Sequence, residues 1–287
     1  MENWIIYSAV MFFGSIIYYL IVKKVQQLGA DKHTYMAVNS IVPTILFLLL
    51  ALTTSDTLML SLKGFVLAFL GATVLNYFGS YFGYLGIEKA PNAGYAVIIQ
   101  KSYALYTSIL SVVLFNSELP FSKVLAILLI IVAAGFVIVD KKDGKFKFGS
   151  WVWYSIATFF LFGMTTVFAK YISLWGDSTM AYLFWLLLGT TVMSWIRYYF
   201  NRKRVSTKLD KKMILWLIAM STMVSVFYWG KIQTTVTAPN IGYSGAVNAS
   251  SNAVLVVVSA WLYKQELTLR KLLGALGVIA GLVVLIW

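Results

Sequence analysis

The chain has 287 residues, of which 60% are hydrophobic and only 11% are charged. Its mean hydropathy of +0.82 lies far above that of soluble globular proteins. The absence of cysteine excludes a disulfide framework and thiolate chemistry. A net charge of +13 would suit nucleic acid, but the basic residues are confined largely to short connections between apolar segments, which argues against that partner. We therefore expect an integral membrane protein.

Ten apolar segments are each about 18–25 residues long, which is enough to cross a bilayer. In chain order they are predicted near 3–22, 34–53, 62–86, 92–115, 121–139, 151–171, 179–199, 212–234, 241–262 and 268–287. The connections between them are too short to hold a soluble domain. The sequence thus predicts an all-α membrane protein with ten transmembrane helices.

An internal repeat divides these ten helices into two sets of five. The motif Ala-Pro-Asn-Ala-Gly-Tyr at 90–95 returns as Ala-Pro-Asn-Ile-Gly-Tyr at 238–243, and an ungapped pairing of 90–139 with 238–287 gives 15 identities in 50 pairs. We predict two copies of one unit, 1–143 and 144–287. Because five is an odd number, the second copy must cross the membrane in the opposite sense, as inverted repeats about an axis in the membrane plane.

The basic residues predict the orientation. Connections after predicted spans 1, 3, 5, 7 and 9 hold 18 of the 23 Lys and Arg residues, whereas the other face has only Lys63, Lys123, Lys170 and Lys231. Positive residues stay on the cytoplasmic side. We expect a multi-pass protein of the cell membrane with both termini external and with a basic segment, 202–212, near the membrane lipids.

Catalytic chemistry has little support in the sequence. The ten acidic residues all fall in connections or at the ends of spans, and His33 is the single histidine. These residues form no triad, no metal-ligand cluster and no paired-acid site. We predict that the protein is not an enzyme and that it binds no metal or cofactor.

Lys101 is predicted to be the one charge deep within a span. It lies about nine residues into the fourth predicted helix, roughly 13 Å from the helix start and close to the bilayer midplane. An unpaired ammonium at that depth usually faces a cavity or a partner. Three interpretations stay open: a lysine that snorkels or bonds carbonyl groups, an electropositive contact for an anionic or zwitterionic substrate, and a proton-coupling residue.

Polar side chains share one face on each of the two equivalent helices, the fourth and the ninth. These side chains need hydrogen-bond partners, which can be water, one another or a ligand. The alternative to a binding site is that they only form hydrogen bonds between the helices. Lys101 pairs with Ala249 in the repeat, so the symmetry is broken in a way that suggests a polarised site. Our candidate substrate-binding residues are Lys101, Gln100, Tyr103, Asn248, Ser251 and Asn252, with Asn76, Tyr81 and Tyr228 as further cavity walls.

The repeated motif at 90–95 and 238–243, with Glu118-Leu119 and Glu266-Leu267 before the fifth and tenth spans, resembles the drug/metabolite transporter superfamily and most closely its EamA-like members. The resemblance implies a central cavity lined by the fourth and ninth helices and alternating access by rocking of the halves. Nucleotide-sugar transporters of that superfamily carry Gly-Ala-Leu-Asn-Lys in the ninth helix. Here the similar segment 245–249 ends in alanine, and the lysine stands at the pseudo-symmetric position 101.

One feature departs from EamA-like exporters, which typically have a basic loop after the second helix and cytoplasmic termini. Residues 53–61 contain no Lys or Arg. The charge pattern therefore predicts the opposite orientation, and the direction of transport does not follow from the resemblance.

We expect a secondary transporter that moves a small polar metabolite, anionic or zwitterionic, through a cavity between the fourth and ninth helices. Three alternatives stay open: an exporter of aromatic or cationic compounds, a flippase for lipid-linked sugars, and a membrane sensor or scaffold that transports nothing. The expected partners are a small-molecule substrate and membrane lipids. The sequence does not define the oligomeric state.

Overall fold

A computed structural model of the protein describes residues 3–53, 57–138, 141–142, 145–146, 149–264 and 267–286. The predicted boundary between the two repeats, 143/144, lies outside these residues. The helices are α1 (Asn3–Gln27), α2 (Lys32–Asn39), α3 (Ile41–Thr53), α4 (Leu62–Leu70), a π-helical segment (Gly71–Asn76), α5 (Tyr77–Lys89), α6 (Ala93–Lys101), α7 (Ala104–Phe115), α8 (Phe121–Ile138), α9 (Ser150–Leu174), α10 (Thr179–Phe200), a 3-10 turn (Arg202–Arg204), α11 (Lys211–Thr237), α12 (Ile241–Tyr263) and α13 (Leu269–Ile286). Lys141–Lys142 and Lys145–Phe146 form a minimal antiparallel pair.

Eight helical rods in the described residues are long and apolar enough to cross a membrane. Three of them are compound: α2 continues into α3, α4 runs through the π-helical segment into α5, and α6 continues into α7. Phe121–Ala133 in α8 and Leu272–Gly281 in α13 are shorter apolar stretches. The fold is therefore all-helical, and its eight candidate spans indicate a multi-pass membrane protein.

The distribution of polarity is the reverse of that in a soluble protein. Large apolar side chains such as Phe13 and Trp261 are exposed on the outside, whereas Ser15, Thr158 and Asn248 are fully buried. Lipid is a good solvent for the first group and a poor one for the second. The polar side chains consequently meet one another in the interior.

In two of the main helix pairings, a helix of one half packs against a helix of the other half, and the repeat relates the two pairings to each other. The first half's α1 packs along α11 of the second half, and α9, the repeat equivalent of α1, packs along α5, the equivalent of α11. The other pairings join equivalent rods: α2 and α3 with α10, α6 and α7 with α12, and α8 with α13.

Close contacts repeat in the same way. A Cβ atom added at Gly94 would lie 2.9 Å from the backbone nitrogen of Val256, and one added at Gly242 would lie 2.8 Å from Cα of Ser108. Both members of each contact differ from their counterparts by 148 positions. Only glycine permits this separation, so the rod of α6 and α7 touches α12 backbone to backbone at two related places.

The backbone turns also recur at the repeat spacing. Gly29 and Gly176 have positive φ angles of 89° and 79°, and Asn116 and Lys264 have φ angles of 49° and 51°. At the entries of α6 and α12, the side chains of Asn92 and Asn240 each accept a 2.8 Å hydrogen bond from the amide of the glycine two residues later. These caps satisfy helix-end amides that would otherwise lack a partner.

A break distinguishes the rod of α6 and α7 from its repeat equivalent, α12. Helix α6 ends at Lys101, and the Ser102 hydroxyl donates a 2.7 Å hydrogen bond to the carbonyl of Ile98. Such a bond to the residue four positions earlier bends helices. The equivalent stretch of α12 continues through Ala249 without interruption. Lys101 therefore stands at the carboxyl end of a half-helix, where the helix dipole favours a cation.

Candidate functional site

The central cavity lies between both halves of the protein. Its wall combines α1, α2 and α5 with the last turn of α6, and α9 and α11 complete it from the second half. The free space is narrow, so in this conformation the surrounding side chains nearly close it. The lining residues are Tyr18, Tyr19, Tyr35, Ser80, Gly83, Tyr84, Ile87, Gln100, Lys101, Phe162, Val224, Phe227, Tyr228 and Lys231.

The contributions of α5 and α11 follow one helical face each. Four residues of α5, from Ser80 to Ile87, and four of α11, from Val224 to Lys231, have the spacing i, i+3, i+4, i+7. Residues at this spacing stack on one side of a helix. Because α5 and α11 are repeat equivalents, the cavity is built from the same face used twice.

Lys101 is 1% exposed and its ammonium group lies among aromatic rings. Its Nζ is 4.5 Å from the ring centroid of Phe162, 5.1 Å from that of Phe227 and 5.4 Å from that of Tyr19. The negative faces of aromatic rings attract a cation, and this attraction is stronger where water is excluded. The rings therefore hold the ammonium group in the cavity without neutralising its positive charge.

Lys231 is a second interior lysine, and here the sequence-based assignment is wrong. The sequence predicts Lys231 to be one of the sparse basic residues at the ends of spans and Lys101 to be the one deep charge. The structure places Lys231 within α11, six residues before the helix ends at Thr237, or about 9 Å along the axis. Its Nζ lies 5.5 Å from the ring of Tyr103 and 5.7 Å from that of Phe162.

The described carboxylates lie away from these two ammonium groups. Five acidic residues are described: Asp31, Glu88, Glu118, Asp177 and Asp210. All five lie at helix ends or in connections, and none of them forms an ion pair with Lys101 or Lys231. Two like charges in one cavity are costly unless an anion joins them. The arrangement can bind an anionic ligand without first displacing a protein carboxylate.

Gln100 places a polar acceptor on the wall of the cavity that the two lysines line. Its Nε2 donates a 3.2 Å hydrogen bond to the carbonyl of Gly83, which fixes the amide plane. Its Oε1 is buried and has no hydrogen-bond partner among the described residues. Buried polar atoms are rarely left unpaired, so this oxygen is available to a ligand that carries a donor.

A smaller cavity adjoins the first through the shared walls Tyr228 and Lys231. Asn76, at the end of the π-helical segment, donates to Thr190 Oγ1 at 3.0 Å and accepts from Tyr228 at 3.2 Å. The hydroxyl of Tyr182 on its wall is buried and unpartnered within the described chain. Short π-helical segments often mark functional sites.

Three further predicted site residues form a hydrogen-bonded network outside the cavity wall. Asn248 donates to the Tyr103 hydroxyl at 3.2 Å and accepts from Ser15 at 3.4 Å. Ser251 donates to Ser15 at 3.2 Å and to the Asn248 carbonyl at 2.8 Å. All are fully buried. In this conformation their hydrogen bonds join α1, α7 and α12, and the Tyr103 ring faces Lys231.

The two remaining predictions have different outcomes. Tyr81 lies apart from the cavity, where its ring contacts the guanidinium of Arg197 at 4.6 Å and Nζ of Lys32 at 5.5 Å. The side chain of Asn252 lies outside the described residues. Of the predicted site, the cavity therefore brings together Lys101, Gln100 and Tyr228, with Asn76 in the adjoining space.

Several cavity residues were missed in the sequence. Val224, Phe227 and Lys231 carry a readable helical signal, since their spacing places them on the same face of α11 as the predicted Tyr228. The rings of Tyr18, Tyr19 and Phe162 carry no such signal. Their helices are apolar on most sides, and only the packing of α1 and α9 turns these rings inward.

No protein-family model and no curated protein matches the chain. Solved structures share its fold. One of them, described as "Crystal structure of protein", superposes with a TM-score of 0.76 over 98% of both chains at 12% sequence identity. At this level of identity the similarity concerns the fold alone. It extends over nearly the whole helical assembly, including the rods that enclose the cavity.

Proposed function

We propose that this protein is a secondary transporter for a small anionic solute. One observation carries the proposal: Lys101 from the first half and Lys231 from the second face the same cavity, and no described carboxylate pairs with either. Interior charges in a membrane protein usually mark the path of a substrate or ion. The solute would bind between the two halves, where their relative movement can expose it to either side.

The described cavity favours binding over catalysis. Its side chains are amines, phenols, phenyl rings, a hydroxyl, an amide and aliphatic groups, with no carboxylate or imidazole among the lining residues. A general acid–base pair needs groups that exchange a proton at the reacting atom. The proposed role of the lysines is electrostatic recognition, and the protein is proposed not to be an enzyme.

We further propose ten spans arranged as two inverted repeats, in which α8 and α13 complete the two sets of five. The exchanged pairings of α1 with α11 and of α9 with α5 support a pseudo-two-fold relation, as do the contacts of Gly94 with Val256 and Gly242 with Ser108. The same arrangement is what the resemblance to EamA-like members of the drug/metabolite transporter superfamily implies. Membership of that superfamily is part of the proposal.

Alternating access follows from this architecture as a mechanism. The narrow cavity corresponds to a state that is closed to both sides, and rocking of the halves would open one end at a time. From the basic connections we propose that both termini lie outside the cell. Reporter fusions at the carboxyl end measure that orientation, and a cytoplasmic reporter signal would contradict it.

A thermal-stability panel tests the proposed substrate class. A ligand present at 100 times its dissociation constant adds about 2.7 kcal/mol to the free energy of unfolding. We expect small anions to raise the melting temperature of the purified protein, since they neutralise the two lysines. Stabilisation by aromatic cations instead of anions would favour the exporter alternative and contradict the anion proposal.

A further inference from the structure

The distance between the two lysine nitrogens indicates which kind of anion can contact both of them. Each Nζ lies within 5.7 Å of the centroid of the same Phe162 ring. The two nitrogens are therefore less than twice that distance apart. A small molecule with two negative groups a few bonds apart can reach both of them at once.

Charge balance then favours a ligand with two negative charges over a ligand with one. A monoanion would neutralise one ammonium group and leave the other without compensation in a medium of low dielectric constant. A dianion neutralises both. Charge-assisted hydrogen bonds are also about twice as strong as neutral ones, so the second contact adds affinity as well as balance.

Gln100 favours a ligand that also carries a hydrogen-bond donor. Its Oε1 has no partner among the described residues, and the bond from Nε2 to Gly83 fixes the amide on the cavity wall that Lys101 also lines. A ligand hydroxyl or ammonium group would satisfy that oxygen, whereas a ligand without a donor would leave it unpaired and buried.

Resting on the proposed function, we infer that the substrate is a small dianion, a dicarboxylate or a phosphate monoester, that also carries a hydroxyl group. Lys101 and Lys231 bind one negative group each or share a phosphate, and Gln100 accepts from the hydroxyl. A short carbon skeleton suits the separation of the two nitrogens, which both lie close to the Phe162 ring.

The test compares succinate, malate, glycerol 3-phosphate and lactate as stabilising ligands. We expect both malate and glycerol 3-phosphate to bind at least about tenfold more tightly than lactate. Succinate, which lacks the hydroxyl, should bind more weakly than malate. The difference between malate and succinate should vanish in Gln100→Leu. The stronger of malate and glycerol 3-phosphate distinguishes a dicarboxylate from a phosphate monoester.

The Lys231→Gln variant provides the decisive comparison, with Lys231→Arg as the matched control that keeps the charge. The preference for malate over lactate should fall toward unity in the first and persist in the second. Lactate binding as tight as malate binding in the wild type, or an unchanged preference in Lys231→Gln, would overturn the dianion inference while leaving anion transport intact. Failure of all four anions to bind would instead overturn the proposed function.

A second inference concerns two aspartates that tie the halves together at the ends of the molecule. Asp31, after α1, accepts hydrogen bonds at Oδ2 from the Thr207 hydroxyl at 2.6 Å and from the amides of Ser206 and Thr207 at 3.2 Å. Its own amide donates to Thr207 Oγ1 at 2.8 Å. The turn after α1 is thereby fastened to the segment that leads into α11.

Asp177 makes the corresponding connection after α9. It accepts from the Ser61 amide at 2.8 Å and from the Ser61 hydroxyl at 2.7 Å, where the chain enters α4. Both aspartates lie one or two residues after a glycine of positive φ, Gly29 or Gly176. The same turn thus contacts the opposite half twice, and in the alternation of spans the two contacts fall on opposite faces of the membrane.

The Asp31 contact is joined directly to the cavity. Tyr84, a cavity residue, donates a 2.5 Å hydrogen bond to the carbonyl of Ala30, next to Asp31, and packs against Tyr35, whose ring centroid is 4.6 Å from its own. Burial raises the pKa of the Asp31 carboxyl, but the bonds from Thr207, Thr34 and His33 outweigh it and hold the pKa below its usual value. Asp31 is therefore charged at neutral pH.

We infer that the hydrogen bonds of Asp31 and Asp177 are two contacts between the halves that break and re-form during the transport cycle. We call these two contacts the latches. The Asp31–Thr207 contact closes the cavity toward the face predicted to be cytoplasmic, and the Asp177–Ser61 contact closes it toward the other. One latch must release in each half of the cycle.

The absence of native cysteine makes this inference directly testable. A single cysteine at cavity residue Ser80 can be labelled in sealed vesicles with a membrane-impermeant thiol reagent. Asp31→Asn should raise the labelling rate from the Asp31 face by at least about threefold, because the open population increases. Asp177→Asn should raise it from the opposite face. Thr207→Val removes the partner hydroxyl and should reproduce the effect of Asp31→Asn.

Asp210→Asn is the matched control. Asp210 also caps a helix, but its side chain accepts a 2.7 Å hydrogen bond from Met213 within its own α11. Labelling should be unchanged in this variant. Equal labelling in the Asp31 and Asp210 variants, or increased labelling from both faces in Asp31→Asn, would overturn the latch inference.

Discussion

Lys101→Met is expected to abolish the stabilisation of the protein by small anions. Removing one partner of a buried charge contact costs about 2–5 kcal/mol of binding free energy. Methionine has a similar length and packs well against the rings of Phe162, Phe227 and Tyr19. The measurement is the melting temperature across a series of anion concentrations, in which the wild type should shift and the variant should not.

The same substitution should leave the ligand-free protein at least as stable as the wild type. Lys101 is an uncompensated charge in the interior, and replacing buried charges by apolar groups is often neutral or stabilising. Lys63→Met, which alters an exposed lysine at the start of α4, should preserve the anion response. A variant of Lys101 that melts early without ligand but still responds to anions would assign the lysine a structural role.

Gly242→Ala is expected to destabilise the protein. A Cβ atom at Gly242 would lie 2.7 Å from Cβ and 2.8 Å from Cα of Ser108, so α12 and α7 must separate. Overpacking of this kind costs about 1–3 kcal/mol. Thermal unfolding of the detergent-solubilised protein measures the loss.

Gly135→Ala is the control for this prediction. A Cβ atom at Gly135 in α8 would have no neighbour within 4 Å. Alanine in a helix is favoured over glycine by about 0.5–1 kcal/mol, so this variant should be as stable as the wild type or slightly more so. Equal melting temperatures for the two alanine variants would contradict the close approach of α7 and α12.

The helical class was predictable because apolar length is a direct consequence of bilayer thickness. The chain between Leu62 and Lys89 shows the limit of prediction from hydropathy. Its candidate span is confirmed, whereas its π-helical segment at Gly71–Asn76 has no signal in the hydropathy pattern. The break after Lys101 was equally invisible. Serine and tyrosine occur throughout these helices, and only the end of α6 at Lys101 and the start of α7 at Ala104 show where the helix is interrupted.

The candidate site was predictable in part. Lys101 was identified because a charge at mid-span is costly. Lys231 was assigned to a helix end because its span was taken from hydropathy alone, although α11 extends to Thr237. The polar face of α12 was identified as well, but a face does not reveal its neighbour. Asn248 and Ser251 meet Ser15 across the packing with α1, a partner that periodicity in one helix cannot supply.

Counterflow in proteoliposomes tests the central claim most directly. Vesicles are loaded with unlabelled malate and the uptake of labelled malate is followed for the wild type and for Lys101→Met. We predict rapid transient accumulation for the wild type and only the leak of protein-free vesicles for the variant. A wild-type protein that binds malate without exchanging it would be a sensor or scaffold, and exchange at wild-type rates in Lys101→Met would remove the lysine from the transport site; either result would contradict the account.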